Sequence, residues 1–149
     1  MAKILKYVLG LDGANRFDSF FSVGAPAQDF KRYSAVDNRD DHVTDAEFDS
    51  KPFLTRYGKD PSPVEKGCTL SHYYMWKDFL ASDADWALIA EDDALISPDL
   101  QPVVERIIEK YPHVQMVNLC DIYASEPGKL NPQVDYPRLS LFAPFVYGK

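Results

Sequence analysis

The chain has 149 residues, enough for one domain with a real core and too few for two domains of ordinary size. Its 23 acidic and 16 basic residues give a net charge of −7, with no run of basic residues, which argues against a nucleic-acid-binding surface. The apolar content of 46% excludes a disordered chain. An acidic protein can still bind phosphates, provided that a nearby cation or a bound metal offsets its negative field.

Cysteine usage and the amino-terminal sequence indicate a cytoplasmic protein. Cys68 and Cys120 match no metal-ligand spacing, and both lie in apolar segments, so we expect two buried thiols, with a disulfide or a reactive thiol as the alternatives. Lysines interrupt the apolar run of residues 1–9, which rules against a signal peptide. No stretch approaches the roughly 18 apolar residues that a transmembrane helix needs.

The first half of the chain predicts two strands and a long loop. Residues 4–11 are rich in branched apolar side chains and end at a turn, and a short helix or loop follows over 15–22. A second strand is predicted over 30–36. Residues 38–62 are polar and contain several prolines, so we expect a surface loop with little regular structure, of a length that is often functional.

The clearest helix begins at Ser62, followed by Pro63 and by Glu65 at the third helical position, a sequence typical of a capping box. We predict a helix over 63–81 with Trp76 in the core. Its apolar stripe would contain Cys68, His72, Met75 and Phe79. A core histidine is the plain interpretation of His72. Gly67 lowers helix propensity by about 1 kcal/mol relative to alanine, which makes sense where the backbone closely approaches a ligand or another element.

The second half alternates strands and helices. Residues 86–90 form an unbroken apolar run, typical of a strand buried on both faces. Ser97 and Pro98 predict the start of a helix that ends before Pro112, and residues 114–120 form the next strand. We therefore expect one α/β domain over 1–149, with a mostly parallel sheet flanked by helices, a core over about 3–121 and a loop-rich tail over 122–149.

Three adjacent carboxylates, Glu91, Asp92 and Asp93, directly follow the buried strand. Ligands of open parallel sheets bind beyond the carboxyl ends of the strands. Alternation along an extended chain places Glu91 and Asp93 on one side, and no cysteine–histidine pair is near in sequence. Carboxylates alone suit Mg²⁺ or Mn²⁺, which would hold a diphosphate. The alternative interpretation is a solvated turn.

Two segments together resemble glycosyltransferase family 25, a family that includes lipooligosaccharide β-galactosyltransferases and collagen galactosyltransferases. They are VEKGC-x₂-SH-x₃-WK at 64–77 and WALIAEDDA at 86–94. Weaker matches are VLGL at 8–11 with Arg16, which lies about one position earlier than in the family, and YSAVD at 33–37. The resemblance covers roughly residues 7–121.

The resemblance implies a GT-A fold with a Rossmann-like half. It also implies an inverting, metal-dependent transfer of a sugar, with galactose expected, from a UDP-sugar to a saccharide or glycolipid acceptor, as in lipooligosaccharide biosynthesis. Mn²⁺ or Mg²⁺ would be held by Asp93, with Asp92 as a second ligand. The implied donor-binding residues are Gly10, Asp12, Arg16, Asp37, Gly67, Ser71, His72 and Glu91. Asp121, at the end of the last predicted strand, is the candidate general base.

Family members continue beyond the position that corresponds to Lys149, into a segment expected to complete the acceptor and metal sites. An alternative hypothesis is therefore a shortened, inactive nucleotide-sugar-binding or scaffold module. Pairing of two copies through an exposed apolar sheet edge is left open. A glycolipid acceptor would place the cytoplasmic protein at the inner membrane face, although no basic amphipathic helix supports that position.

Overall fold

A computed structural model describes residues 2–113, 115–119 and 145–148, and they form a five-stranded sheet. Strands β1 (Ile4–Gly10), β2 (Lys31–Ser34) and β3 (Trp86–Glu91) run parallel, with β1 between the other two. The sheet continues with β4 (Met116–Asn118) and β5 (Phe145–Gly148), in the order β2-β1-β3-β5-β4. The α/β class predicted from the sequence is confirmed.

Strand β5 lies inside the segment predicted as a loop-rich tail and was not itself predicted. It lies antiparallel between β3 and β4, and residues 145–148 pair with both neighbours. The signal was weak because four residues after Pro144 give too short a run for a periodicity argument. Strand β4 is parallel to β3 because β5, which separates them, is antiparallel to both.

Helices cover both faces of the sheet. Helices α1 (Arg16–Ser22), α2 (Ala25–Gln28) and α5 (Leu100–Lys110) contribute to one apolar cluster, whereas α4 (Pro63–Ala81) contributes to the other. Side chains of β3 alternate between them: Trp86, Leu88 and Ala90 belong to the first, and Ala87 and Ile89 to the second. The prediction that this strand is buried on both faces is confirmed.

Helix α4 begins as predicted. The hydroxyl of Ser62 accepts a hydrogen bond from the Glu65 N–H at 3.2 Å, and the Glu65 carboxylate accepts one from the Ser62 N–H at 2.8 Å. The buried stripe, however, consists of Gly67, Leu70, Ser71, Met75 and Phe79. Cys68 is exposed and Trp76 is 37% exposed, so their predicted burial is wrong. Met75 and Phe79 are buried as predicted, but the first half of the stripe is shifted by one position because Gly67 and Ser71 make the inward contacts.

Two helix predictions also need correction. Helix α3 (Lys51–Tyr57) lies in the segment predicted as an irregular loop. It has no buried residue, so no apolar periodicity marked it. Helix α5 begins at Leu100 after Asp99, whereas the predicted cap, Ser97, accepts a hydrogen bond from the Asp99 N–H at 3.3 Å in the preceding turn. None of the described helices combines the length and apolar composition needed to cross a bilayer.

Candidate functional site

An open cavity of about 460 Å³ lies where the carboxyl ends of the three parallel strands meet. Its walls come from the end of β1, the segments after β1 and β2, the first turns of α4 and the end of β3. Six of the residues predicted to bind donor or metal line it: Gly10, Arg16, Asp37, Ser71, Glu91 and Asp92. The topology therefore brings together groups that are more than 80 positions apart in sequence.

The end of β1 packs directly on the acidic triplet. A Cβ atom on Gly10 would lie 2.6 Å from an Asp92 carboxylate oxygen and 2.9 Å from the Phe17 ring. Only glycine fits at that distance, so Gly10 lets the Asp92 carboxylate approach the β1 backbone. Asp92 is buried, whereas Glu91 and Asp93 on either side are exposed, which agrees with the predicted alternation.

Arg16, the first residue of α1, faces the triplet. Its Nη1 lies 3.4 Å from an Asp92 oxygen and 3.8 Å from an Asp93 oxygen. The Arg16 side chain is 65% exposed, so the contacts with Asp92 and Asp93 are solvent-screened and each is worth little stability. Arg16 thus lines the cavity beside Asp92, where its charge can act on a bound anion.

Helix α4 is joined to the segment after β2 by a close backbone approach. A Cβ atom on Gly67 would lie 2.7 Å from the Val36 carbonyl oxygen, which confirms the predicted reason for a glycine in this helix. The buried Ser71 hydroxyl donates to the Gly67 carbonyl at 2.6 Å and accepts from the Val36 N–H at 2.8 Å. Gly67 and Ser71 therefore position the cavity wall that continues into Asp37.

The sequence analysis missed two residues of this wall, Asn38 and Arg39. Buried Asn38 donates to the Pro63 carbonyl at 2.9 Å and accepts from the Val43 N–H at 2.8 Å, and so fixes the loop to the start of α4. The Arg39 guanidinium donates two hydrogen bonds to Asp37, at 2.8 and 2.5 Å, and the Arg39 N–H donates a third at 3.2 Å. These bonds lower the pKa of Asp37 to about 2. The only sequence signal was a mixed-charge run after a predicted strand end.

Glu91, the first residue of the triplet, has neighbours that were not predicted from the sequence. Atoms of Cys68, His72 and Glu91 all lie within 4.8 Å of one another, and His72 Nε2 is 4.0 Å from a Glu91 oxygen. The expectation of no cysteine–histidine pair near the triplet is therefore wrong, because α4 crosses the end of β3. Burial, followed by repulsion from Asp93 and Asp92, raises the pKa of Glu91.

Not every predicted residue lines the cavity. Asp12 is exposed and accepts a hydrogen bond from the Ser34 hydroxyl at 2.9 Å. Asp93 contacts Arg16 but does not itself line the cavity. His72 does not line the cavity either, although it lies near Cys68 and Glu91, which do. Gly67 does not line the cavity but packs against the backbone of Val36, which does. Asp121 lies outside the described residues, as does Cys120.

The fold and this site define an α/β protein with an acidic cavity at the carboxyl ends of its parallel strands. Residues 7–140 match the family model described as glycosyltransferase family 25 (LPS biosynthesis protein). The chain belongs to glycosyltransferase family 25.

A curated relative supports the same assignment. A glycosyltransferase 25 family member from Aedes aegypti is 32% identical over 98 residues, which cover 62% of this chain and 16% of that protein. The chain therefore spans only a small part of the length of the relative it matches.

Proposed function

We propose that this chain binds a UDP-sugar together with Mn²⁺ or Mg²⁺ in the cavity and transfers the sugar, with galactose expected, to a saccharide or glycolipid acceptor with inversion. The charge of the cavity carries the proposal. Its lining contains three carboxylates, Asp37, Glu91 and Asp92, and two guanidinium groups, Arg16 and Arg39, a net charge of −1. The exposed Asp93 adds a further negative charge beside Arg16.

This negative charge would repel a free diphosphate, so an anionic donor needs a cation as its bridge. The oxygen ligands present fit a hard divalent ion. In this proposal Asp93 holds the metal, with Asp92 as the second ligand, and the metal when bound supplies Lewis-acid stabilisation of the diphosphate leaving group. Arg16 contacts the donor phosphates, and Asp37 with Arg39 contacts the nucleoside.

Inversion requires that the acceptor hydroxyl oxygen bonds to the anomeric carbon while the bond from that carbon to the diphosphate breaks. The hydroxyl proton passes to a base, a role that we assign to Asp121 as a proposal. Helix α4 contributes the fixed position of the cavity wall through Gly67 and Ser71.

Thermal unfolding of the full chain with ligands tests donor binding. UDP-galactose with Mn²⁺ is expected to raise the melting temperature, whereas either alone raises it less, because nucleotide and metal bind as a unit. Asp93→Asn is expected to abolish the joint effect. Asp45→Asn, which makes the same change at an exposed aspartate outside the cavity, is the matched control. No shift with any UDP-sugar and metal would overturn the proposal.

Release of UDP on addition of saccharide acceptors tests transfer. Acceptor-dependent release, with an inverted anomeric configuration of the product by nuclear magnetic resonance, supports the complete proposal. Donor binding without such release would instead support the binding-module hypothesis. Retention of configuration would contradict the inverting mechanism.

A further inference from the structure

Helix α4 and strand β3 bring three different metal-ligand types to one point. Cys68 and His72 are four positions apart, so both side chains project from the same face of α4. Glu91, the last residue of β3, lies opposite them, with its oxygen 4.0 Å from His72 Nε2. One ligand atom from each residue can be chosen so that all three lie within 4.8 Å of one another.

The ligand types define the class of cation. A sulfur, a nitrogen and an oxygen suit a borderline ion such as Zn²⁺ or Co²⁺, whereas Mg²⁺ prefers oxygen alone. In a tetrahedral zinc site the bond lengths of 2.0 to 2.3 Å place neighbouring ligand atoms about 3.5 Å apart. The three atoms therefore need to move closer by about 1 Å. Cys68 and Glu91 are exposed, so their side chains can rotate into place.

The protonation states agree with this chemistry. Burial lowers the pKa of His72, which favours the neutral imidazole that binds metals. Partial burial and Glu91 raise the pKa of the Cys68 thiol. Formation of the sulfur–metal bond releases the thiol proton to solvent.

We propose that Cys68, His72 and Glu91 form a binding site for a Zn²⁺-class cation, separate from the carboxylate pair Asp92 and Asp93. Three protein ligands leave the fourth coordination position for water or another small ligand. Cys68 and Glu91 both line the cavity, so the cation would sit at its wall. The site does not depend on the identity of the donor and goes beyond the proposed transferase activity.

Cobalt titration of the reduced, chelator-treated full chain tests the site. Binding of one equivalent of Co²⁺ is expected to produce a thiolate-to-cobalt charge-transfer band, which Zn²⁺ then removes by displacement. Cys68→Ser is expected to abolish the band. His72→Asn and Glu91→Gln are expected to weaken Co²⁺ binding by about tenfold or more. Circular dichroism of each metal-free variant establishes that it is folded.

The other cysteine provides the matched control. Cys120→Ser is expected to retain both the band and the cobalt affinity of the parent chain. A band that survives Cys68→Ser and disappears in Cys120→Ser would overturn the proposal, as would the absence of any band. Cobalt affinity that is unchanged in folded His72→Asn and Glu91→Gln would overturn it as well.

The carboxylate pair separates the two proposals. Asp93→Asn is expected to lose the joint effect of UDP-galactose and Mn²⁺ while keeping the cobalt band. In the parent chain the two readouts are independent, because the cobalt band reports the thiolate ligand and the melting temperature reports the donor. Failure of the cobalt site would therefore leave the donor site supported, and failure of the donor site would leave the cobalt site supported.

Discussion

The guanidinium of Arg16 lies 3.4 Å from the buried carboxylate of Asp92, although the two residues belong to parts of the chain that are far apart in sequence. Arg16 opens α1, and Asp92 follows β3. The β1 strand holds them together because Gly10 leaves room for the Asp92 carboxylate beside its backbone. In the metal site proposed above, Arg16 would compete with the ion for Asp92 and would attract an anionic ligand.

Arg16→Ala is expected to change metal and nucleotide binding in opposite directions. Loss of the guanidinium removes a competitor, so Mn²⁺ alone should bind more tightly. UDP with Mn²⁺ should bind more weakly. Each change should be about two- to fivefold, because an exposed charge about 4 Å away contributes about 1 kcal/mol or less.

Isothermal titration measures both affinities. Arg106→Ala, an exposed position on α5 outside the cavity, is the control and should change neither. A loss of both affinities in Arg16→Ala would show that Arg16 supports the metal instead of competing with it.

Gly67→Ala is expected to destabilise the protein, although alanine is the better helix former by about 1 kcal/mol. The added methyl group would lie 2.7 Å from the Val36 carbonyl oxygen and 3.2 Å from the Asn38 Cβ. The Val36 backbone can move away from the added methyl group only at a cost in free energy. We therefore expect the free energy of unfolding to fall by about 1–3 kcal/mol in total.

Urea denaturation gives that free energy. Thr69→Ala, at an exposed position of the same helix, is the control and should leave the stability within about 0.5 kcal/mol of the parent chain. A Gly67→Ala variant as stable as the parent chain would show that α4 and the segment after β2 separate easily.

Local signals in the sequence predicted the elements that they specify directly. The capping box at Ser62 marks the start of α4, and the continuous apolar run 86–90 marks a strand buried on both faces. Helix α3 and strand β5 had no such signal. The first buries no residue, and the second is a four-residue strand that depends on pairing with β3 and β4.

In the site, too, residues with a local sequence signal were predicted, and residues that depend on tertiary contacts were not. The acidic triplet and Gly67 were found from the sequence because each departs from an ordinary pattern. Asn38 was missed because one asparagine in a polar run looks like any loop residue, and its burial depends on tertiary contacts with Pro63 and Val43. The meeting of Cys68 with Glu91 was missed because the crossing of α4 over β3 is not encoded in either segment alone.

Glu65→Gln is expected to lower stability at pH 7 and to have no effect near pH 2. The capping hydrogen bonds with Ser62, together with Lys59, lower the pKa of Glu65 from 4.5 to about 2. The charged Glu65 therefore stabilises the folded state above about pH 4.5. That contribution is lost as the pH falls from 4.5 towards 2.

Melting temperatures of Glu65→Gln and of the parent chain, measured from pH 7 to pH 2, test this dependence. The difference between the two should shrink across that interval. Other acidic groups, including Asp37, titrate in both proteins and cancel in the difference. Glu109→Gln, an exposed change on α5, controls for the general effect of removing one negative charge. A constant Glu65→Gln difference down to pH 2 would contradict the role of the charge.

The rate at which Cys68 is alkylated measures whether a donor occupies the cavity, provided that no metal is bound to the thiol. Its pKa is raised by burial and by Glu91, so the iodoacetamide reaction should be slow at pH 7 and accelerate above pH 9. Because Cys68 lines the cavity, UDP-galactose with Mg²⁺ should protect it. At ten times its dissociation constant the donor should slow the reaction about tenfold.

Mass spectrometry of the Cys68 peptide measures that rate. Mg²⁺ is the metal of choice here because it prefers oxygen ligands and leaves the thiol free to react. Asp93→Asn should abolish the protection without changing the rate in the absence of ligand. An unchanged rate at a donor concentration that raises the melting temperature would place the donor elsewhere, since a nucleotide in this cavity must cover the wall that Cys68 forms.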